Sequence, residues 1–355
     1  SVAKQADDSG YYPIETVDTD EVSLSSGDIK VAIEAFSCDH PEVFWLSNTY
    51  KYYSDSSTTK VYLYSTFSAE KVADMQTTLD TAIGKFLDEI PKGLSEFERE
   101  REIHDKLIKD CTYASGISNS QDNPNAFTIY GALIDNKAVC EGYTVAMQYL
   151  LKAVGIKSAT VNGYSKNSRH QWCLVNIEDK WYHLDATWDD RDDDENPIAY
   201  MYFNVTDSFI TVDHTLAKKY TILSQGELDG ANEADGTTMF NLPLPQCNSE
   251  DSSFINRAGA VINALDDYDT YDNAVSKLRD AALRKDSCFY VSILPDLDFD
   301  KTVKSLFQEY PQEFFRYVAD VNRMIDTDYK ISDDNLSISA SKEHRIVAVN
   351  LKYTN

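Results

Sequence analysis

Residues 140–187 leave little freedom in what this chain can fold into. After Cys140 the chain reads EGYTVAMQYLLKAVG, with Tyr143, Ala146, Met147, Leu150, Leu151 and Val154 at the three- and four-residue spacing of an amphipathic helix. Gly155 stands where a helix C-cap glycine belongs. Residues 169–178 (RHQWCLVNIE) and 180–187 (KWYHLDAT) read as two strands. A short turn between them makes the pair antiparallel. The expected core is therefore a helix packed on an antiparallel sheet.

Three reactive side chains lie on these elements in the order Cys140, His170, Asp185. Cys140 falls in or near the first helical turn, where unpaired N–H groups and the helix dipole favour thiolate over thiol. Gly142 beside it permits close approach of another chain. Whether His170 meets Asp185 depends on the hairpin register. With a turn at Glu178–Asp179, Asp185 lies opposite Trp172, and His170 is its diagonal neighbour, with Cβ atoms about 7 Å apart. A carboxylate on one ring nitrogen then fixes the tautomer and leaves the other nitrogen for the thiol. With a turn at Asp179–Lys180, Asp185 moves opposite Leu174 and out of reach of His170. His183, two residues before Asp185 on the same strand face, is a competing base.

The run CEGYTVAMQYLLKAVGI, VNGY, RHQWCLV, KWYHLDATWDD resembles the core of the bacterial transglutaminase-like superfamily, relatives of papain-like thiol enzymes. The resemblance spans residues 94–204. It rests on a cysteine opening a helix, a histidine followed two later by tryptophan, and an aspartate followed by Ala-Thr-Trp. It implies Cys140 as nucleophile, His170 as base and Asp185 as orienter, with acyl transfer through a thioester and no cofactor or metal. It also favours His170 over His183. Enzymes of this kind hold the oxyanion with the nucleophile's own N–H and an upstream side-chain donor, for which Tyr130, ten residues before Cys140, is the candidate. Members of the family often carry Asn after His-Ala-Trp, whereas here His-Gln-Trp is followed by Cys173, on the strand face away from His170.

The chain has 355 residues, 42% of them hydrophobic, enough for two or three domains with a sizeable core. Its net charge of −26 argues against nucleic acid and anionic membrane surfaces as partners. No apolar run is long enough for a transmembrane helix. The cysteines at 38, 111, 140, 173, 247 and 288 show no C-x-x-C spacing, so neither a zinc site nor a disulfide scaffold is expected. Twenty-three tyrosines against 33 Lys plus Arg suit an exported, extracellular or cell-surface protein whose signal or anchor segment lies outside this chain.

The expected architecture is α+β: a transglutaminase-like core at 94–221 flanked by smaller α/β units at 1–93 and 254–355, with a linker or long loop at 222–253. In the first unit, 28–36 and 69–90 carry helical stripes and 60–67 alternates as a strand. Ser95 and Glu98 form a capping box for a helix at 96–110, followed by Tyr113. The last unit reads as helices at 254–265, 273–284 and 300–309, with strands at 288–294, 336–340 and 345–352. The acidic loop 189–196 (DDRDDDEN) is oxygen-rich as calcium sites are, but it lacks EF-hand spacing and reads as solvated. HPEVFW at 40–45 echoes YPQEFF at 310–315, a short match that a shared strand order in the two units would support. The function expected is cysteine-dependent acyl transfer or hydrolysis on protein or peptide amides. The alternative is a non-catalytic binding module on the same scaffold.

Overall fold

The computed structural model describes residues 2–354 except 20–22, 118, 120–121, 167, 192–197, 217–219, 222–237, 241–243 and 335. Most of the expected linker at 222–253, and most of the acidic loop at 189–196, lie outside the described residues. The chain divides into two compact units. One comprises residues 1–179, 185–187 and 213–246, the other 180–184, 188–212 and 247–355. Helices and mainly antiparallel sheets make up both.

The first unit opens with β1 (Tyr12–Thr19), α1 (Ser26–Asp39), β2 (Leu46–Ser54) and β3 (Thr59–Ser65). The three strands form an antiparallel sheet in the order β1-β3-β2. β1 and β2 escape the sequence patterns because each carries a register shift, between Pro13 and Thr16 and between Leu46 and Tyr50. A bulge breaks the period-two alternation by which strands are recognised. α2 (Ala69–Asp88) buries Met75, Leu79, Ile83 and Phe86, the stripe read from the sequence. α3 (Glu96–Asp110) starts at the Ser95–Glu98 capping box.

Beyond α3 come β4 (Thr112–Tyr113), a 3-10 turn at Pro124–Phe127, α4 (Ile129–Leu133), β5 (Lys137–Ala138) and α5 (Cys140–Ala153). Gly155 ends α5 with φ of 86°, a left-handed C-cap. β6 (Lys157–Ser165) and β7 (Ser168–Ile177) then form an antiparallel hairpin with Gly163 opposite His170 and Val161 opposite Trp172. The short strand His214–Leu216 pairs with the other edge of β6, His214 opposite Ser165. After β7 the chain turns at Glu178–Asp179, both in the left-handed region at φ 52° and 62°. Two consecutive positive φ values belong to a two-residue hairpin turn, which selects the first of the two registers.

In the second unit Ala260–Ile262 pairs parallel with Cys288–Ile293, which pairs antiparallel with Ile346–Asn350, itself next to Ser337–Ser341. Helices Tyr268–Arg284, Phe299–Phe307 and Glu313–Met324 cover this sheet through a core that includes Leu278, Phe289, Leu306, Phe314 and Val349. The helix expected at 254–265 is a helix at Phe254–Ala258 followed by the strand Ala260–Ile262. The break falls at Gly259, where a Cβ would lie 2.4 Å from the Ile255 carbonyl and 2.7 Å from that of Tyr290. The two flanking sheets differ in strand order, and only one contains a parallel pair. Residues 41–43 form a 3-10 turn, whereas 313–315 begin a helix. The echo between 40–45 and 310–315 is therefore not a structural repeat. Among the described residues no helix is long and apolar enough to cross a membrane.

Candidate active site

Cys140 is the first residue of α5, and the N-cap residue, Val139, provides no side-chain cap. The first-turn N–H groups are thus left without the usual side-chain acceptor. The approach to Cys140 is held by backbone. Val139 N–H donates to the Ala126 carbonyl (2.9 Å), and Ala114 N–H donates to that of Ala138 (2.8 Å). Ala114, Ala126 and Val139 pack into a small buried cluster with Ile117 and Phe127. Gly142 is required by this packing, since a Cβ there would lie 2.6 Å from the Ala126 carbonyl oxygen and 2.8 Å from the Ala138 methyl.

α5 is tied to the strand that carries the base. The Thr144 hydroxyl lies 2.8 Å from the Cys140 carbonyl and 2.9 Å from that of Gln171. Cys173, unexplained by the sequence, donates its thiol hydrogen to the Thr144 carbonyl at 3.4 Å. Burial, helped by the negative charge of Asp185, pushes the Cys173 thiol far above its ordinary range. It is a buried, protonated link between α5 and β7. The remaining thiols of Cys38, Cys111, Cys247 and Cys288 are buried as well, and none of the six forms a disulfide.

His170 lies on β7, with its Nε2 2.6 Å from Asp185 Oδ2. Burial pulls this imidazole down, but the Asp185 charge, the hydrogen bond to it, and the contact with Cys140 together push it up to about 10. Nε2 faces the carboxylate, so Nδ1 is the nitrogen left for the thiol. Asp185 caps the short helix Ala186–Asp189, its Oδ1 accepting from Thr187 N–H at 3.1 Å. Burial favours its neutral form, yet the charge of His170 and the hydrogen bonds from His170 and His214 hold it well below the usual carboxylate range. The structure thus brings Cys140, His170 and Asp185 together. His183 is engaged elsewhere, with its Nε2 2.9 Å from Asp207 Oδ1.

Tyr130 sits on α4, with its ring 5.1 Å from that of Phe44, and its phenol is pushed up by burial and by Asp135. A second tyrosine, Tyr113, lies near Cys140. Its phenol is pushed up first by burial, then by negative charge on Cys140 and Asp185. The β4–β5 ladder sets it there by pairing Tyr113 with Ala138, two residues before Cys140. In the sequence Tyr113 stands out only through the family resemblance, as a tyrosine after α3, because a two-residue strand leaves no periodic signal.

His214 carries no sequence signal either. Its Nε2 lies 3.1 Å from Asp185 Oδ2 and its Nδ1 2.6 Å from Asp213 Oδ1. Trp172 is buried against both imidazoles, stacked on His170 (5.7 Å, 21°) and edge-on to His214 (5.2 Å, 68°), with the two imidazole rings themselves 5.4 Å apart. Gly163 makes room for that ring, since a Cβ there would lie 2.6 Å from Trp172 Cη2 and 2.3 Å from the Thr215 carbonyl. The donor atoms of His170, Asp185 and His214 lie within 4.8 Å of one another, as do those of His183, Asp207 and Cys247. In both groups a histidine nitrogen lies within hydrogen-bonding distance of the carboxylate.

Residues 85–186 match the family model described as the transglutaminase-like superfamily. They form a transglutaminase-like core. The matched segment runs through Cys140 and His170 to Asp185. The mouse (Mus musculus) kyphoscoliosis peptidase is 25% identical over 126 residues, covering 32% of this chain and 19% of that protein. The human (Homo sapiens) protein of the same name is 27% identical over 119 residues, covering 29% and 18%. The similarity thus spans about a fifth of the length of these relatives. The crystal structure of a TGase aligns with 51% of this chain and 52% of its own, at 13% identity and a TM-score of 0.29. The family match covers residues 85–186, less than a third of the chain.

Proposed function

We propose that the chain performs cysteine-dependent acyl transfer or hydrolysis on protein or peptide amides, through a thioester on Cys140. The observation that carries this reading is the line of three groups, with His170 contacting Cys140 on one side and Asp185 at 2.6 Å on the other. Cys140 thiolate adds to the amide carbonyl, forming the S–C bond and an oxyanion. The first-turn N–H groups of α5 receive that oxyanion. Tyr113, whose phenol feels the charge on Cys140, is a candidate beside Tyr130 to assist them. The C–N bond then breaks, and protonated His170 passes its proton to the leaving amine. Neutral His170 next takes a proton from an incoming amine or water, whose attack on the thioester releases Cys140. The substrate is a protein or peptide, and the name of the curated relatives adds weight to the hydrolytic outcome. We also place the chain outside the cell, on the tyrosine-rich, lysine-poor composition already noted; fractionation of the source cells tests this.

The test of the chemistry is the pH dependence of Cys140 alkylation by iodoacetamide, in the wild-type protein and in His170→Ala. Fast reaction below about pH 7 that vanishes in the variant supports the thiolate–imidazolium pair. Reaction only as an ordinary thiol near about pH 8.5 sinks the enzyme reading in favour of a binding scaffold. Incubation with denatured casein, with and without a fluorescent primary amine, then separates transfer from hydrolysis.

A further inference from the structure

Asp185 serves two imidazoles, while the chemistry proposed above uses one. Both bond to the same oxygen, Oδ2, His170 at 2.6 Å and His214 at 3.1 Å. The second oxygen takes Thr187 N–H. A carboxylate held only at Oδ1 and by one mobile ring can rotate about its Cβ–Cγ bond. Held from two sides at Oδ2, it cannot leave His170 without also leaving His214.

The ring of His214 is itself fixed. It is buried, it meets Trp172 edge-on, and it stands between two carboxylates. Its Nε2 faces Asp185 and its Nδ1 faces Asp213. Neutral imidazole has one N–H and so can donate to only one of them; both bonds form together only in the imidazolium. Its charge agrees with this geometry, for although burial pulls the ring down, the bonds to Asp185 and Asp213 raise it above its ordinary value. The backbone places it from a distance, since the strand carrying His214 is separated from β7 by β6. Gly163, opposite His170 on the intervening strand, adds no side chain there, and the Trp172 ring and the Thr215 carbonyl occupy the space.

We infer that His214 is a positioning residue for the proposed reaction: a cation held by Asp213 that pins the Asp185 carboxylate in line with His170. It acts through Asp185. This rests on the thiol-enzyme reading for its purpose, but the geometry it asserts can be tested separately. The charged and titratable groups facing His214 are Asp185 and Asp213, with His170 sharing Asp185.

The experiment compares wild type, His214→Leu and His214→Gln. The glutamine amide reproduces the Nε2–H donor without its charge; leucine fills the space without donating. Two quantities are read. One is the rate of Cys140 alkylation by iodoacetamide across pH. The other is the downfield proton resonance of the short His170 Nε2–H···Oδ2 bond. In His214→Leu, alkylation near pH 6 should fall by about tenfold to a hundredfold, the scale on which a misplaced group costs rate. The resonance should broaden or vanish. His214→Gln should restore most of both. Equal losses in the two variants, or alkylation in His214→Leu within about twofold of wild type, would overturn the proposal. If wild-type Cys140 shows no acid-side reactivity, the enzyme reading fails, and the resonance alone then decides the role of His214. If His214→Leu does not fold, nitrogen-15 spectra of the wild-type protein at neutral pH decide. Both ring nitrogens of His214 protonated supports the proposal; a bare ring nitrogen refutes it.

Discussion

Replacing Asp185 by asparagine keeps the shape of the side chain and removes its charge. In the wild-type protein His170 is pushed from its ordinary 6.5 up to about 10. That difference corresponds to roughly 5 kcal/mol of preference for the charged ring. Burial acts in the opposite direction, and the Asp185 charge is the foremost of the effects that overcome it. In the Asp185→Asn variant burial is no longer opposed by the Asp185 charge, so the ring should titrate at or below its ordinary value. At pH 7 it then changes from almost wholly charged to at most about a quarter charged. Proton resonances of the ring, followed across pH, measure this directly, and Cys140 alkylation near pH 6 should fall with it.

Stability should change in the same experiment. A base whose folded value is raised stabilises fully below about pH 6.5 and loses that contribution as pH climbs towards about 10. Asp185, held below the usual carboxylate range, contributes above that range and loses its contribution as pH falls through it. These are two views of one interaction and count once. Breaking a buried pair by removing one partner costs roughly 3–5 kcal/mol. Urea unfolding of Asp185→Asn should therefore show a loss of that order at neutral pH, shrinking as pH rises towards about 10. An unchanged His170 titration, or a stability loss independent of pH, would refute the reasoning.

Two further outcomes follow from packing and placement. Gly163→Ala should lower stability by about 1–3 kcal/mol in thermal melts, because the added methyl meets a backbone carbonyl and the Trp172 ring at 2.3 and 2.6 Å. Tyr113→Phe should slow acyl transfer by up to about a hundredfold while Tyr130→Phe leaves it near wild type, read as amine incorporation into casein; the reverse order would return the oxyanion role to Tyr130.

The elements that carry the chemistry are legible because their signals are local. The stripe from Tyr143 to Val154, the capping box at Ser95 and Glu98, and the Cys140, His170, Asp185 order are all complete within short windows. The hairpin register is legible only as two alternatives. Neither Glu178 nor Asp179 is a glycine, so nothing in the sequence announces the left-handed pair that decides between them. What escapes depends on distant partners. His214 follows Asp185 by 29 residues and sits on a three-residue strand with no periodicity. The strand Ala260–Ile262 merges with the preceding helix because its parallel partner begins at Cys288.

Five of the six sulfhydryl groups lie in the interior and one does not. Peroxide reaches exposed, ionised sulfur first, and a sulfenic acid formed there is reversible by thiols. The one cysteine that is only partly buried, Cys140, is also the proposed nucleophile. A mild oxidant would therefore silence the chemistry while leaving the fold intact, and a reductant would restore it. Storage in air, rather than heat, is the insult such a molecule would register soonest.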